Sequence, residues 1–195
     1  MVSKIPFEGR SDFVPHREWS GGLEPFLMKG THVAKLKTVS PRQTYVANFH
    51  LSDRIGPNLR KRQIERVFAK FEYEFANARL IFGGDLNFRN LGDDLNQDSA
   101  GREPGYDFLV NQHQFIDIQR TALKNQARNK RPFSYSSANS YNQSGDLALD
   151  FVFCRGWRTF GNTSLVGTER FESAEGKQIS NSDHYGLIVE IDEED

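Results

Sequence analysis

Four short stretches of this 195-residue chain carry side chains able to do chemistry, each in or beside an apolar run. Near the C-terminus, Ser182-Asp183-His184-Tyr185-Gly186 precedes Leu187-Ile188-Val189, placing a carboxylate and an imidazole at the mouth of an expected strand. Such a pair can share a metal ion or a phosphate oxygen, and a histidine can carry a proton near neutral pH. Gly83-Gly84-Asp85-Leu86-Asn87 follows another apolar run. Asp85 and Asn87 are two apart, so in an extended segment they point the same way. A carboxylate beside an amide suits a hard cation, or a water and a phosphate held together. Asp150 lies between Ala148 and Val152, where a carboxylate is costly to desolvate without a partner. A protonated histidine, an arginine or a metal would supply one. His50, near the end of the run 44–51, is a candidate for that partner or for a phosphate contact.

The elements that must hold these residues are readable from periodicity. Residues 44–51 alternate, with Tyr45, Ala47, Phe49 and Leu51 on one face and Val46, Asn48 and His50 on the other. Residues 147–154 do the same, with Leu147, Leu149, Phe151 and Phe153 opposite Ala148, Asp150, Val152 and Cys154. Further strands are expected near 1–5 and over 31–38, 78–83, 159–167 and 185–191. Pro57-Asn58 opens a helix whose Ile64, Val67, Phe68, Phe71 and Phe75 recur at helical spacing. Its Arg60, Lys61, Arg62, Arg66 and Lys70 read as a solvated face. A second helix starts at Pro104 and carries Phe108, Leu109 and Val110. Residues 1–30 (after the first strand), 88–105 and 132–146 read as loops, and 192–195 as an acidic tail. Strands mixed with few, widely spaced helices imply one α/β sandwich domain over 1–195.

Composition narrows the classes. Hydrophobic content is 37%, charged content 26% and net charge −1, so bulk charge indicates neither nucleic acid nor anionic lipid as a partner. No apolar run approaches a membrane span. The N-terminus lacks a signal-peptide core. The single cysteine, Cys154, leaves the redox compartment open.

The order FHLS, GGDLN, LDFVF, SDHY resembles the endonuclease/exonuclease/phosphatase superfamily, the deoxyribonuclease-I-like phosphodiesterases. Asn48-Phe49-His50-Leu51 resembles that family's "TH-L" strand end, and Gly84-Asp85-Leu86-Asn87 its "GD-N" motif. Leu149-Asp150-Phe151 is similar to its "(I/L)D-(Y/F)" strand, and Ser182-Asp183-His184 to its "SDH" motif. Lys29-Gly30 before THVAKLKT, the segment SANSYNQSGDLALDFVF and the ending SDHYGL lean toward the sphingomyelinase branch, with Gly186 where that branch has proline. The resemblance implies a two-sheet α/β sandwich and a metal-dependent phosphodiester hydrolase. In it His184 would be the general base for in-line attack of water, with Asp183 orienting it and touching the metal. Asp85 and Asn87 would hold the water and the phosphate. His50 would stabilise the transition state, and Asp150 would orient His50. Mg²⁺ is the implied ion, with Mn²⁺ or Co²⁺ as alternatives, on a partial site of Asp85, Asn87, Asp183 and His184.

Two family features are missing here: an Asn ending the first strand and a metal-binding Glu in a "QE" motif. MVSKIPFEGR resembles an internal segment of the family, which implies a domain without its N-terminal strands. A chain of that kind is expected to be poorly soluble or self-associating, and slow or inactive with Mg²⁺. Localisation is then unreadable: secreted if a signal peptide lies in the missing part, cytoplasmic otherwise. The expected substrate is a phospholipid such as sphingomyelin, with peripheral membrane contact, or alternatively nucleic acid. A phosphoinositide-type phosphatase and a non-catalytic remnant that only binds phosphate are the other readings. A nuclease would need a basic, aromatic-lined groove, for which Arg120, Lys124, Arg128, Lys130, Arg131, Phe133 and Tyr135 are candidates. A lipid hydrolase would expose apolar or aromatic residues beside the site.

Overall fold

The computed structural model of the chain describes residues 5–16, 29–38, 40–53, 56–89, 91, 103–123, 133–142 and 145–192. Among the described residues a main sheet of six strands comprises β1 (Asp12–Pro15), β2 (Gly30–Leu36), β3 (Thr44–His50), β4 (Arg79–Asp85), β5 (Ile116–Asp117) and β6 (Asp150–Arg155). Their order is β1-β2-β3-β4-β6-β5. All ladders are antiparallel except β3–β4, which is parallel. A parallel pair needs a crossover connection, supplied by helices α1 (Pro57–Lys70) and α2 (Glu72–Ala76). Pro57 occupies the first turn of α1, where its missing N–H costs no hydrogen bond.

Strand alternation decides where the core sits. Ala47, Phe49, Leu80, Phe82, Phe151 and Phe153 are fully buried on one face. Ile64 and Val67 of α1 and Phe71 and Phe75 after it cover that face, forming one aromatic core with them. Phe82 lies 5.2 Å from Phe49 and 4.6 Å from Phe115, ring centre to ring centre. On the opposite face Val46, Ile81 and Val152 are only half-buried. Strand β7 (Thr159–Val166) pairs antiparallel with β10 (Gly186–Asp192) in a second sheet. Between β10 and the half-buried face lies a cleft of about 480 Å³, bounded by Val46, Ile81 and Val152 on one side and Leu187 and Val189 on the other. A small hairpin, β8 (Arg170–Glu172) with β9 (Gln178–Ser180), completes the strands.

The expected strands over 31–38, 44–51, 78–83, 147–154, 159–167 and 185–191 correspond to β2, β3, β4, β6, β7 and β10, with ends shifted by up to three residues. Residues 1–4 of the strand expected near 1–5 and residues 193–195 of the tail lie outside the described residues, as do 90 and 92–102 of the expected loop and the basic residues 124–131, while Ile5 is described and lies in no strand. Two readings need correction. Residues 1–30 are not loop throughout, because Phe13 and Val14 form an edge strand that stops at Pro15. Arg60 does not belong to a solvated face. Its guanidinium makes a bidentate, buried ion pair with Glu103, Nε to Oε1 at 3.0 Å and Nη2 to Oε2 at 2.8 Å. That pair fastens α1 to the start of α3 (Pro104–Asp107), whose Phe108–Gln112 extension is a π-helical turn. Helix α4 (Ile118–Leu123), strand β5 and the β8–β9 hairpin were not expected. Each is too short for periodicity to declare it.

Candidate active site

The site forms where β3, β4 and β6 end level with one another. In the ladders His50 pairs with Asp85, and Asp85 with Asp150. Gly84 makes this approach possible: its φ is +118°, and a Cβ there would come within 2.6 Å of Asn48 Oδ1 and press into the Phe49 carbonyl. Only glycine fits such a backbone. His50 Nε2 then stands 3.7 Å from Asp85 Oδ2.

Beyond Asp85 the chain turns back on itself. Asn87 has φ 53°, a left-handed conformation that asparagine tolerates. Its backbone N–H donates to Asp85 Oδ1 at 3.1 Å, and its Nδ2 donates to the Leu51 carbonyl at 3.1 Å. Asn87 thus locks the Asp85 turn to the end of β3.

His184 enters from the loop before β10. Its Nδ1 lies 2.7 Å from Asp150 Oδ2, with the ring edge-on to Tyr135 at 5.4 Å. A carboxylate only accepts, so Nδ1 carries a proton, and in the neutral ring Nε2 holds the lone pair. The resemblance paired Asp150 with His50 and Asp183 with His184; the structure instead joins Asp150 to His184. Asp183 is exposed, and its Oδ1 accepts the Ser182 hydroxyl at 3.2 Å. The physical reason is strand geometry: Asp150 lies at the start of β6, where the incoming loop delivers His184.

These contacts set the protonation states. Burial, and then the Asp150 charge, push the Asp85 carboxyl up to about 6, against the opposing pull of His184, the Asn87 N–H and Lys29. The hydrogen bond that His184 donates to Asp150 raises its pKa above the ordinary imidazole value, with the charges of Asp150, Asp85 and Asp183 acting the same way against burial. Burial and then Lys29 lower the His50 pKa, which favours its neutral form.

The same sheet end continues across β2 and β1. Lys29 precedes Gly30, and its carbonyl accepts the His16 N–H at 2.9 Å. Lys29 Nζ meets Asp53 Oδ1 at 2.6 Å. His16 is buried, its Nε2 3.0 Å from Thr31 Oγ1, and burial first and the Arg66 charge second lower it to about 4. Sequence reading missed His16 and Asp53, and took Lys29 as a strand start and a branch signal, not as a site residue. The one available signal was that both Lys29 and His16 sit at the boundary of an apolar run.

Asp85 and Asp150 are neighbouring carboxylates with burial working against Asp85's charge, a setting that a hydrated divalent cation bound through one or two carboxylates would relieve. The implied set Asp85, Asn87, Asp183 and His184 is not gathered as a ligand cage. Among the described residues no three His, Cys, Asp or Glu side chains converge as one.

No family model matches the chain, and no curated protein matches it. Solved structures do. D. rerio TDP2 complexed with single strand DNA product has a TM-score of 0.63 at 19% identity, covering 96% of this chain and 68% of that one. Truncated Caenorhabditis elegans TDP2 gives 0.66 at 21%, covering 97% and 68%. An endonuclease/exonuclease/phosphatase family protein from Bacteroides thetaiotaomicron gives 0.59 at 18%, covering 96% and 65%. The chain therefore spans about two thirds of the length of these structures, and its fold is that of the endonuclease/exonuclease/phosphatase proteins.

Proposed function

We propose that this chain is a phosphodiester hydrolase that uses His184 as general base, with nucleic acid as its substrate class. The observation that carries the reading is the Asp150–His184 pair, one strand from the half-buried carboxylate Asp85 and two from His50. With its Nδ1 proton held by Asp150, His184 presents the Nε2 lone pair to a water. As water oxygen bonds to phosphorus its proton passes to Nε2, Asp150 stabilises the imidazolium, and the ester oxygen leaves on the opposite side. Neutral His50 donates a hydrogen bond to a phosphate oxygen, where a fixed donor stabilises charge that develops in the transition state. Asn87 acts by holding the Asp85 turn. A divalent ion, Mg²⁺ in our reading, would be held by Asp85 with Asp150 beside it, and when bound would offset phosphate charge.

The nucleic-acid substrate is supported by the likeness to a protein crystallised with a single-stranded DNA product. A phospholipid reading keeps one observation in its favour. Tyr141 and Phe171 are 56% and 46% exposed, on the segments next to the His184 loop. The sphingomyelinase leaning gains no support from the structures named above. The test is hydrolysis of a single-stranded oligonucleotide, bis-p-nitrophenyl phosphate and sphingomyelin vesicles with Mg²⁺, wild type beside His184→Ala. Oligonucleotide cleavage lost in the variant is expected. Equal rates for both proteins would remove His184 from the mechanism, and cleavage of sphingomyelin alone would transfer the proposal to lipid.

A further inference from the structure

The backbone that carries His184 is not held by its own strand. Ser182, Asp183 and Tyr185 are each bonded to the loop 134–142, which is far away in sequence. Asn139 Nδ2 donates to the Ser182 carbonyl at 2.5 Å, and Asn142 Nδ2 to the Asp183 carbonyl at 2.7 Å. The Tyr185 N–H donates to the Ser134 carbonyl at 2.7 Å. The loop also grips the other half of the pair, because the Leu149 and Asp150 N–H groups donate to Ser134 Oγ at 3.1 and 3.0 Å.

Both asparagines are built for this task. They are 2% and 7% exposed, and their amide orientations are fixed by further bonds. Asn139 Oδ1 accepts the Tyr141 N–H at 3.0 Å, so its nitrogen faces Ser182. Asn142 Nδ2 reaches a second carbonyl, Ser136, at 3.3 Å. Each of these carbonyls beside His184 accepts from a buried amide, which supplies a donor without adding charge next to Asp150 and Asp183. Aspartate has the same shape but would set an oxygen against each carbonyl. The loop is separately fastened to β9, where Ser140 and Ser180 exchange hydrogen bonds at 3.1 and 2.7 Å.

We propose that Asn139 and Asn142 are positioning residues that set the reach and orientation of His184 through the carbonyls on its N-terminal side. The activity arm of this proposal rests on the hydrolase reading above; the structural arm does not. The experiment compares wild type, Asn139→Asp, Asn142→Asp and Ser140→Ala. In metal-free protein at one fixed pH, the ring-proton resonances of His184 report its place against the edge of Tyr135. Both Asp variants are expected to shift those resonances, and to lower kcat about 10- to 100-fold with KM unchanged, the usual scale for outer-shell partners. Ser140→Ala removes one of the two bonds to β9, the one its hydroxyl accepts from the Ser180 N–H, and is expected to match wild type in both. Should Asn142→Asp not fold, Asn142→Ser, which keeps a hydroxyl donor, is expected to move the resonances less than Asn139→Asp. Unmoved resonances in the folded Asp variants, or an equal shift in Ser140→Ala, would overturn the proposal. Moved resonances in the Asp variants of a protein whose wild type hydrolyses nothing would leave it standing while the hydrolase reading fell.

Discussion

Burial costs Asp85 its easy ionisation, and this ties activity to instability at one residue. The carboxyl titrates at about 6 in the folded chain, against 3.8 ordinarily, chiefly through burial. A raised carboxylate pKa weakens the fold as pH rises through that interval, because the unfolded state then releases its proton first. Asp85→Asn is therefore expected to stabilise metal-free protein by on the order of 1–3 kcal/mol above pH 6. The gain should shrink to nothing as pH falls toward 4, and hydrolysis should be lost. Thermal melts in EDTA across that range check the sign; a destabilised variant at pH 7.5 would show that Asp85 is not strained. His184 runs the other way. Its folded pKa is raised by Asp150, so its stabilising contribution is present below about 6.5 and disappears as pH rises through the raised value. For catalysis the neutral ring is needed, so kcat/KM is expected to climb with pH on a limb centred above about 6.5. A limb below that value would place the base elsewhere.

At the scale of elements, the Arg60–Glu103 pair joins the crossover helix to the segment leading into α3. Arg60→Ala leaves a carboxylate buried without its guanidinium, and is expected to cost about 3–5 kcal/mol in urea unfolding. Replacing both residues with Met and Leu should recover most of that loss. A single variant as stable as wild type would mean that Glu103 takes up water or a proton instead. The sequence disguised this pair, since Arg60 stands among Lys61, Arg62 and Arg66, and helical charge runs usually face solvent. Strong alternation made β3, β4 and β6 legible, and the residues closing them named His50, Asp85 and Asp150 before any coordinates. Pairing was not legible. Which histidine meets Asp150 depends on how the His184 loop folds back, and that is settled by the carbonyl contacts of 134–142. Two-residue β5 and the three-residue strands of the hairpin carry too few positions to show a period, and β1 was hidden by its neighbouring Pro15.

Across the whole molecule the two faces of the main sheet are unequal. One carries a sealed aromatic core; the other meets β10 across a cleft, with Ile188 and Val166 of the second sheet 48% and 40% exposed. Exposed apolar surface of this kind favours association. The purified chain is expected to elute from a sizing column as more than a monomer at high concentration, with Ile188→Lys shifting it toward monomer; a monodisperse monomer at every concentration would refute this. The parallel β3–β4 ladder and the His184–Asp150 contact also have a consequence in time. Asp150 and His184 are 34 positions apart. At a synthesis rate of about 5–20 residues per second, roughly 2–7 s separate them on the ribosome. His50, Asp85 and Asp150 are already made in that interval, so the site stays incomplete until its last residue, His184, has been translated and the loop before β10 has folded back onto β6.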